Sequence, residues 1–223
     1  MPTYLYCVRS SPVDPPAGLT GIDGALVRPI DASGLRAWVS DVVGSVGPTV
    51  ERLKAHDAVC ASALEGSDTP LPIRFGQTFA DDGAALGALV SRERSLRSRL
   101  DRVDGCVEMR VVVTRGRPSH VEERADGGPG TAFLYRLARE GRADLAREVG
   151  CEEIRHAVRT AAMPLIVDQQ PCESARGMSF FPVLVRRPSV DAFRASLAAI
   201  ASRIGSDLSV LGPFAPYSFA GDA

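Results

Sequence analysis

The chain has 223 residues, enough for one large domain or two ordinary ones with a substantial core. Its 26 basic and 27 acidic residues leave a formal charge of −1, so no global field draws it to nucleic acid or to anionic lipid. No run of about 18 apolar residues is present, and MPTYLYCVRSSP at the start lacks a basic segment followed by an apolar one, so neither membrane insertion nor export is expected.

TYLYCV (3–8) is aromatic and β-branched and is stopped by the prolines of SSPVDPP, which predicts a first strand and then a loop. GALVRPI (24–30) and LRAWVSDVV (35–43) predict two more strands around the turn DASG. Leu53, His56, Cys60 and Leu64 then recur at helical spacing, with Pro48 suited to a first turn and Gly66 to a stop, so a helix is expected over 48–65. TPLPIRFGQTF (69–79) reads as extended. It leads into one long second helix, capped by Asp81 or Asp82, whose apolar stripe is Leu86, Leu89, Leu96, Leu100 and Val103. The arginines at 92, 94, 97, 99 and 102 mostly lie off that stripe and read as a solvated face, with Glu93 and Asp101 each four residues from Arg97.

Beyond Gly105 come a strand (106–116), a helical stretch (131–162), an extended stretch (164–170), a strand (178–187), a helix (189–205) and a last strand (207–212). RPSHVEERADGGPG (117–130) reads as a loop. The order βαββαβ predicts a ferredoxin-like domain, with its first and last strands toward opposite edges of the sheet. The expected fold is therefore α+β in two domains. A mixed α/β domain covers 1–104, and a ferredoxin-like domain covers 105–223, ending in an aromatic and proline-rich tail, 212–223.

Chemistry is mostly missing from this pattern. Cys7, Cys60, Cys106, Cys151 and Cys172 are odd in number and never spaced C-x-x-C, so neither a disulfide framework nor a zinc site is indicated, and a reducing cytoplasm is favoured. His56 and Cys60 stand four apart on a helix without a second ligand pair, and read as packed side chains. Gly127, Gly128 and Gly130 fit neither a P-loop nor G-x-G-x-x-G, while Cys151 and His156 turn away from each other and His120 lies in the loop. The adjacent acids Glu122 and Glu123, or Glu152 and Glu153, do not converge on one point. No catalytic residue, metal ligand or cofactor site is expected, and the chain does not read as an enzyme.

Two stretches resist a purely architectural reading. In TPLPIRFGQTF, Arg74 stands between Ile73 and Phe75 on a stiff apolar segment; it either pairs with a carboxylate or caps a helix end in its own domain, or it faces a partner. GPFAPYSF (212–219) places three aromatics and two prolines where chain ends are ordinarily small and polar. Such a tail is expected to dock, on the protein's own domains or on another protein, because the prolines reduce the entropy lost on ordering.

At these stretches the chain resembles the gas vesicle accessory proteins of the F/L type, the GvpF/GvpL family. Tyr4-Leu5-Tyr6 matches the family's opening strand, while His56 followed by Pro72-Ile73-Arg74-Phe75-Gly76 matches its helix and P-x-R-F-G-T segment. Val107-Glu108 matches a V-E strand, residues 130–139 resemble a G-x-x-Y-L-x-x-L-A-R helix, and Gly212 to Phe219 resemble a closing G-P-W-P-P-Y-S-F. Gln77, Phe214 and Ala215 depart from the family's Thr, Trp and Pro, implying a less firmly packed tail.

The resemblance implies a non-enzymatic cytoplasmic accessory or minor structural protein of gas vesicle assembly, with no cofactor. Its partners would be the apolar main shell protein, shielded from aggregation during nucleation and growth, and other gas vesicle accessory proteins. Candidate partner contacts are Arg74, Phe75, Tyr217 and Phe219. The alternatives are a small-molecule-binding or sensor protein built on the ferredoxin-like domain, and a homodimerising scaffold.

Overall fold

β1, Thr3–Arg9, is buried at every position. A strand with that profile must be covered on both faces. Adjacent residues show how: Thr3 donates its hydroxyl to Asp82 on one side, while the Tyr4 hydroxyl meets His56 on the other. Thr3 thus points to one helix layer and Tyr4 to the opposite one, as strand alternation requires.

The computed structural model describes residues 1–66, 68–114, 150–175, 178–204 and 207–221. They form two compact units, Met1–Glu108 with Pro213–Ala223, and Met109–Gly212. In the first unit β2 (Arg28–Ala32) and β3 (Leu35–Asp41) form a hairpin, and β3 pairs antiparallel with β1. The hairpin turn is Ser33-Gly34, at φ 52 and 70, the left-handed pair that a tight two-residue connection needs. α1 (Val50–Leu64) starts after Thr49, whose side chain caps Arg52 N–H. It lays Val59, Cys60 and Ala63 on Tyr4, Tyr6 and Trp38 to make the core of this unit.

β4 (Leu71–Pro72) and β5 (Thr78–Phe79) both pair with β1, so the sheet runs β2-β3-β1-β4 with β5 sharing the β1 edge. α2 (Asp82–Ser91) and α3 (Glu93–Val103) follow, with Asp81 as the N-cap of α2. The single long helix expected here is two. Arg92 leaves helical geometry at φ −109 and ψ 8, and just before it the Ser91 hydroxyl bonds Ala88 O, competing with the backbone ladder. The expected support of Arg97 by Glu93 is present, Nε to Oε1 at 2.9 Å.

The second sheet contains β6 (Cys106–Thr114), β7 (Ile166–Gln169), β8 (Glu173–Ala175), β9 (Met178–Arg186) and β10 (Asp207–Phe214), in the order β10-β6-β9-β7 with β8 also on β9. The helical residues 150–162 form the described part of α4, and α5 is Val190–Ile204. Phe181, Val183 and Val185 of β9 and Phe193, Leu197 and Ile200 of α5 are buried in this unit. The first and last strands, β6 and β10, are neighbours in this sheet, not residents of opposite edges. Strand order is a property of long-range pairing and leaves no local trace in sequence. β8 was likewise not anticipated, because three residues carry too little pattern.

Cys151 and Cys172 form a disulfide with Cα atoms 6.1 Å apart, against the expectation that none was indicated. A separation of 21 residues carries no recognisable framework signal, and only the fold brings the helix and the stretch before β8 together. The loop at 117–130, His120, Glu122, Glu123, the glycines 127, 128 and 130, the helical stretch 131–149 and the 130–139 motif lie outside the described residues.

The expected boundary at 104–105 falls instead between Glu108 and Met109, and the tail packs with the first unit rather than the second. β10 carries the chain through Gly212, where φ is 115, and residues from Pro213 onward belong with Met1–Glu108.

Candidate functional site

The segment 73–77 is held on the β1 edge at both ends. Ile73 donates its N–H to Tyr6 O at 2.8 Å, and Leu5 donates to Gln77 O at 3.0 Å. Between these bonds Arg74, Phe75 and Gly76 bow away from the sheet, with Gly76 at φ 90, a conformation that side chains resist. Pro72, which has no N–H to give, stands in the edge strand where none is required.

The Tyr4 hydroxyl ties this bow to α1. It accepts the Gly76 N–H at 3.1 Å, which leaves its own proton for His56 Nδ1 at 2.9 Å. His56 Nε2 then faces Cys60 Sγ at 3.8 Å, and the Cys60 thiol donates to Tyr6 O at 3.5 Å. Burial pushes the Tyr4 phenol up to about 12, although the Gly76 bond pulls the other way. The bond to Cys60, with burial, pushes the Cys7 thiol well above its ordinary value; the same bond draws Cys60 down against its burial, with His56 adding to the pull. Both sulfurs are fully buried, and His56 and Cys60 are a packed, hydrogen-bonded pair as the sequence suggested.

Tyr4→Phe should cost about 1–3 kcal/mol, since it leaves a buried histidine nitrogen and the Gly76 N–H without a partner. Urea unfolding of the variant checks this; an unchanged midpoint would mean that the hydroxyl holds neither group.

The tail closes the site. Ser218 donates its N–H and hydroxyl to the two carboxylate oxygens of Glu108, at 2.8 and 3.0 Å, and Arg99 Nη1 donates to Ala220 O at 2.7 Å. Glu108 is buried, so these donors answer a carboxylate that would otherwise be costly to keep from water. Phe219 is 1 % exposed and fills the core. Tyr217 lies on His56, ring centroids 6.2 Å apart, while Phe75 meets the same imidazole from 5.8 Å. The Tyr217 hydroxyl is buried and makes no hydrogen bond of ordinary geometry; burial raises its pKa, and the neighbouring Cys60 and Asp57 raise it further.

Arg74, Phe75 and Tyr217 therefore line one open cavity of about 860 Å³, the two unexplained stretches meeting at His56. The fourth candidate, Phe219, does not line it and anchors the tail from beneath. Leu5, Leu53, Ile73, Phe79, Leu89 and Leu96 supply an apolar lining, with Arg92, Arg99 and Asp57 also present. Every lining residue belongs to the first unit. Among the described residues, no group of three or more His, Cys, Asp or Glu could hold a metal ion. Such a surface can hold an apolar segment and orient charge at its rim.

Sequence reasoning missed Glu108 and Arg92 as parts of this arrangement. The lone carboxylate in CVEMRVVVT was the available signal for Glu108; Arg92 had none.

The family model described as "Gas vesicle synthesis protein GvpL/GvpF" matches residues 2–221. This chain belongs to the GvpL/GvpF family. Among its relatives, gas vesicle protein L2 of Halobacterium salinarum is 28% identical, covering 98% of this chain and 91% of the relative. Gas vesicle protein F of Streptomyces sp. strain CB03234 is 32% identical over 98% of this chain and 99% of the relative. The crystal structure of GvpF from Anabaena sp. PCC7120 superposes with a TM-score of 0.76 at 18% identity, covering 100% of this chain and 99% of that one. GvpF from Microcystis aeruginosa gives 0.74 at 18%, with 99% of each chain covered. The mixed α+β fold with two sheets is thus the GvpF fold. No helix among the described residues is long and apolar enough to cross a membrane.

Proposed function

We propose that this family member works in gas vesicle assembly, in the cytoplasm, as a non-enzymatic accessory protein that holds the apolar main shell protein and keeps it from aggregating before it enters the wall. A shell subunit with exposed sheet edges and a hydrophobic face is prone to self-association, and a second protein that covers that surface suppresses it. The observation that carries the reading is the cavity of about 860 Å³ on the first unit, an open apolar surface walled by Arg74, Phe75 and Tyr217. Phe219 serves it indirectly, by fixing the tail. Other accessory proteins of the vesicle are further partners in this reading.

The strand order β10-β6-β9-β7 supports a ferredoxin-like arrangement for the unit 109–212, since it pairs the first strand with the last and the second with the third of a βαββαβ chain. The sensor alternative needs a ligand site on that unit. All the lining of the cavity described above belongs to the other one.

Co-purification with the main shell protein tests the proposal. The full chain should retain the subunit in solution, and a chain lacking residues 212–223 should lose most of that capture, because Tyr217, Ala220 and Gly221 are wall residues. Equal capture without the tail would remove this cavity from the interface; no capture by the folded full chain would overturn the function itself.

A further inference from the structure

We propose that the cavity selects an apolar segment that carries carboxylate side chains, and that Arg74 and Arg92 are the groups that read them. The inference rests on the shell-protein reading above and adds a recognition chemistry to it. In the first unit Arg9, Arg28, Arg36, Arg52 and Arg97 each pair with an Asp or Glu. Arg74 and Arg92 line the cavity, are exposed, and pair with no acid among the described residues. Arg94 is also exposed and unpaired among these residues, but it does not line the cavity.

Arg99, the third arginine of the wall, is engaged with the Ala220 carbonyl. Asp57 is the one acid there and lies beside the Tyr217 hydroxyl. The wall therefore carries an excess of positive charge on a protein whose formal charge is only −1. That excess is local, so it acts on docking rather than on long-range capture.

The physical argument turns on desolvation. Whatever covers Leu53, Ile73, Phe75 and Phe79 also takes water from the guanidinium groups at the rim. A wholly apolar occupant would leave two cations half stripped of water with nothing in exchange, which opposes binding. A segment with carboxylates flanking its apolar residues supplies the exchange, because a guanidinium fork meets a carboxylate through two parallel hydrogen bonds. A segment bearing lysine or arginine at those positions is rejected by like charge. The cavity is thus built to choose among apolar segments by the charge beside them.

The test uses the full chain and the main shell protein purified from the same host, with capture titrated from about 0.05 to about 0.5 M salt. Arg74→Glu with Arg92→Glu should weaken capture at least tenfold and flatten its salt dependence, whereas Arg74→Lys with Arg92→Lys should keep part of it. Shell subunits whose carboxyls have been amidated with a carbodiimide should be captured by the native chain as weakly as native subunits are by the double Glu variant. Both arginines are exposed, so the variants should keep the native fold, which circular dichroism checks. Equal capture by the native chain and the double Glu variant overturns the carboxylate reading and leaves the shell-protein function standing. If the native chain captures nothing, the function fails and the inference falls with it. If light scattering shows a native dimer that the double Glu variant breaks, the occupant is a second copy and the proposal is overturned.

Discussion

Replacing Phe219 by alanine is expected to destabilise the first unit by about 3–5 kcal/mol, the cost of cutting a large aromatic from a packed core. Phe219 is 1 % exposed, and it sits between two residues through which the tail is hydrogen-bonded, Ser218 on Glu108 and Ala220 on Arg99. Its loss therefore leaves a cavity and loosens the docking of Tyr217 together with it. Denaturant unfolding at constant slope measures the first effect, and amide exchange of residues 215–221 measures the second. If the variant unfolds at the native midpoint while its tail exchanges faster, the tail is an independent flap and not part of the core. The expected outcome links stability to the candidate site, since the residue that fixes the tail lies beneath the wall it forms.

Asp68→Ala is expected to cost a similar amount, about 3–5 kcal/mol, for a different reason. The Arg9 side chain is fully buried; it ion-pairs with Asp68, donates to Ala63 O at 2.7 Å, and lies 5.4 Å from the centre of the Trp38 ring. Gly66 makes room for it, since a Cβ there would stand 2.3 Å from Arg9 Nη2. Removing the carboxylate leaves a buried cation without its counter-charge, whereas exchanging both partners for apolar groups would be far milder.

The pH dependence carries a sign. Burial alone would raise the Asp68 carboxyl, but the Arg9 and Ser11 hydrogen bonds outweigh it and hold the group below its ordinary range. A depressed acid contributes stability that is complete above the unfolded value of about 3.9 and is lost as pH falls through the folded one. The gap in stability between native protein and Asp68→Ala should be constant from neutral pH down to about 5, then close in stronger acid. A gap that persists unchanged below the folded carboxyl's titration would show that Asp68 acts through packing alone.

Reading along the chain recovered what short-range physics dictates. TYLYCV is a strand because aromatic and β-branched side chains suit a pleated surface, and 50–64 is a helix because its apolar residues recur at helical spacing behind a threonine cap. The two anomalous stretches were visible for a related reason: a proline-stiffened segment carrying an arginine, and an aromatic chain end, do not follow from local propensity and so point to something they touch. Tertiary structure alone decided what that was. Glu108 and Ser218 are 110 residues apart, and no periodicity within either segment encodes their pairing. The same holds for Cys151 with Cys172 and for β6 beside β10. Helices and strands are set by neighbours within a few residues, so they show in composition and spacing. The tail's return to the first unit, and the wall it completes around His56, arise from complementary surfaces that exist only once those elements have packed.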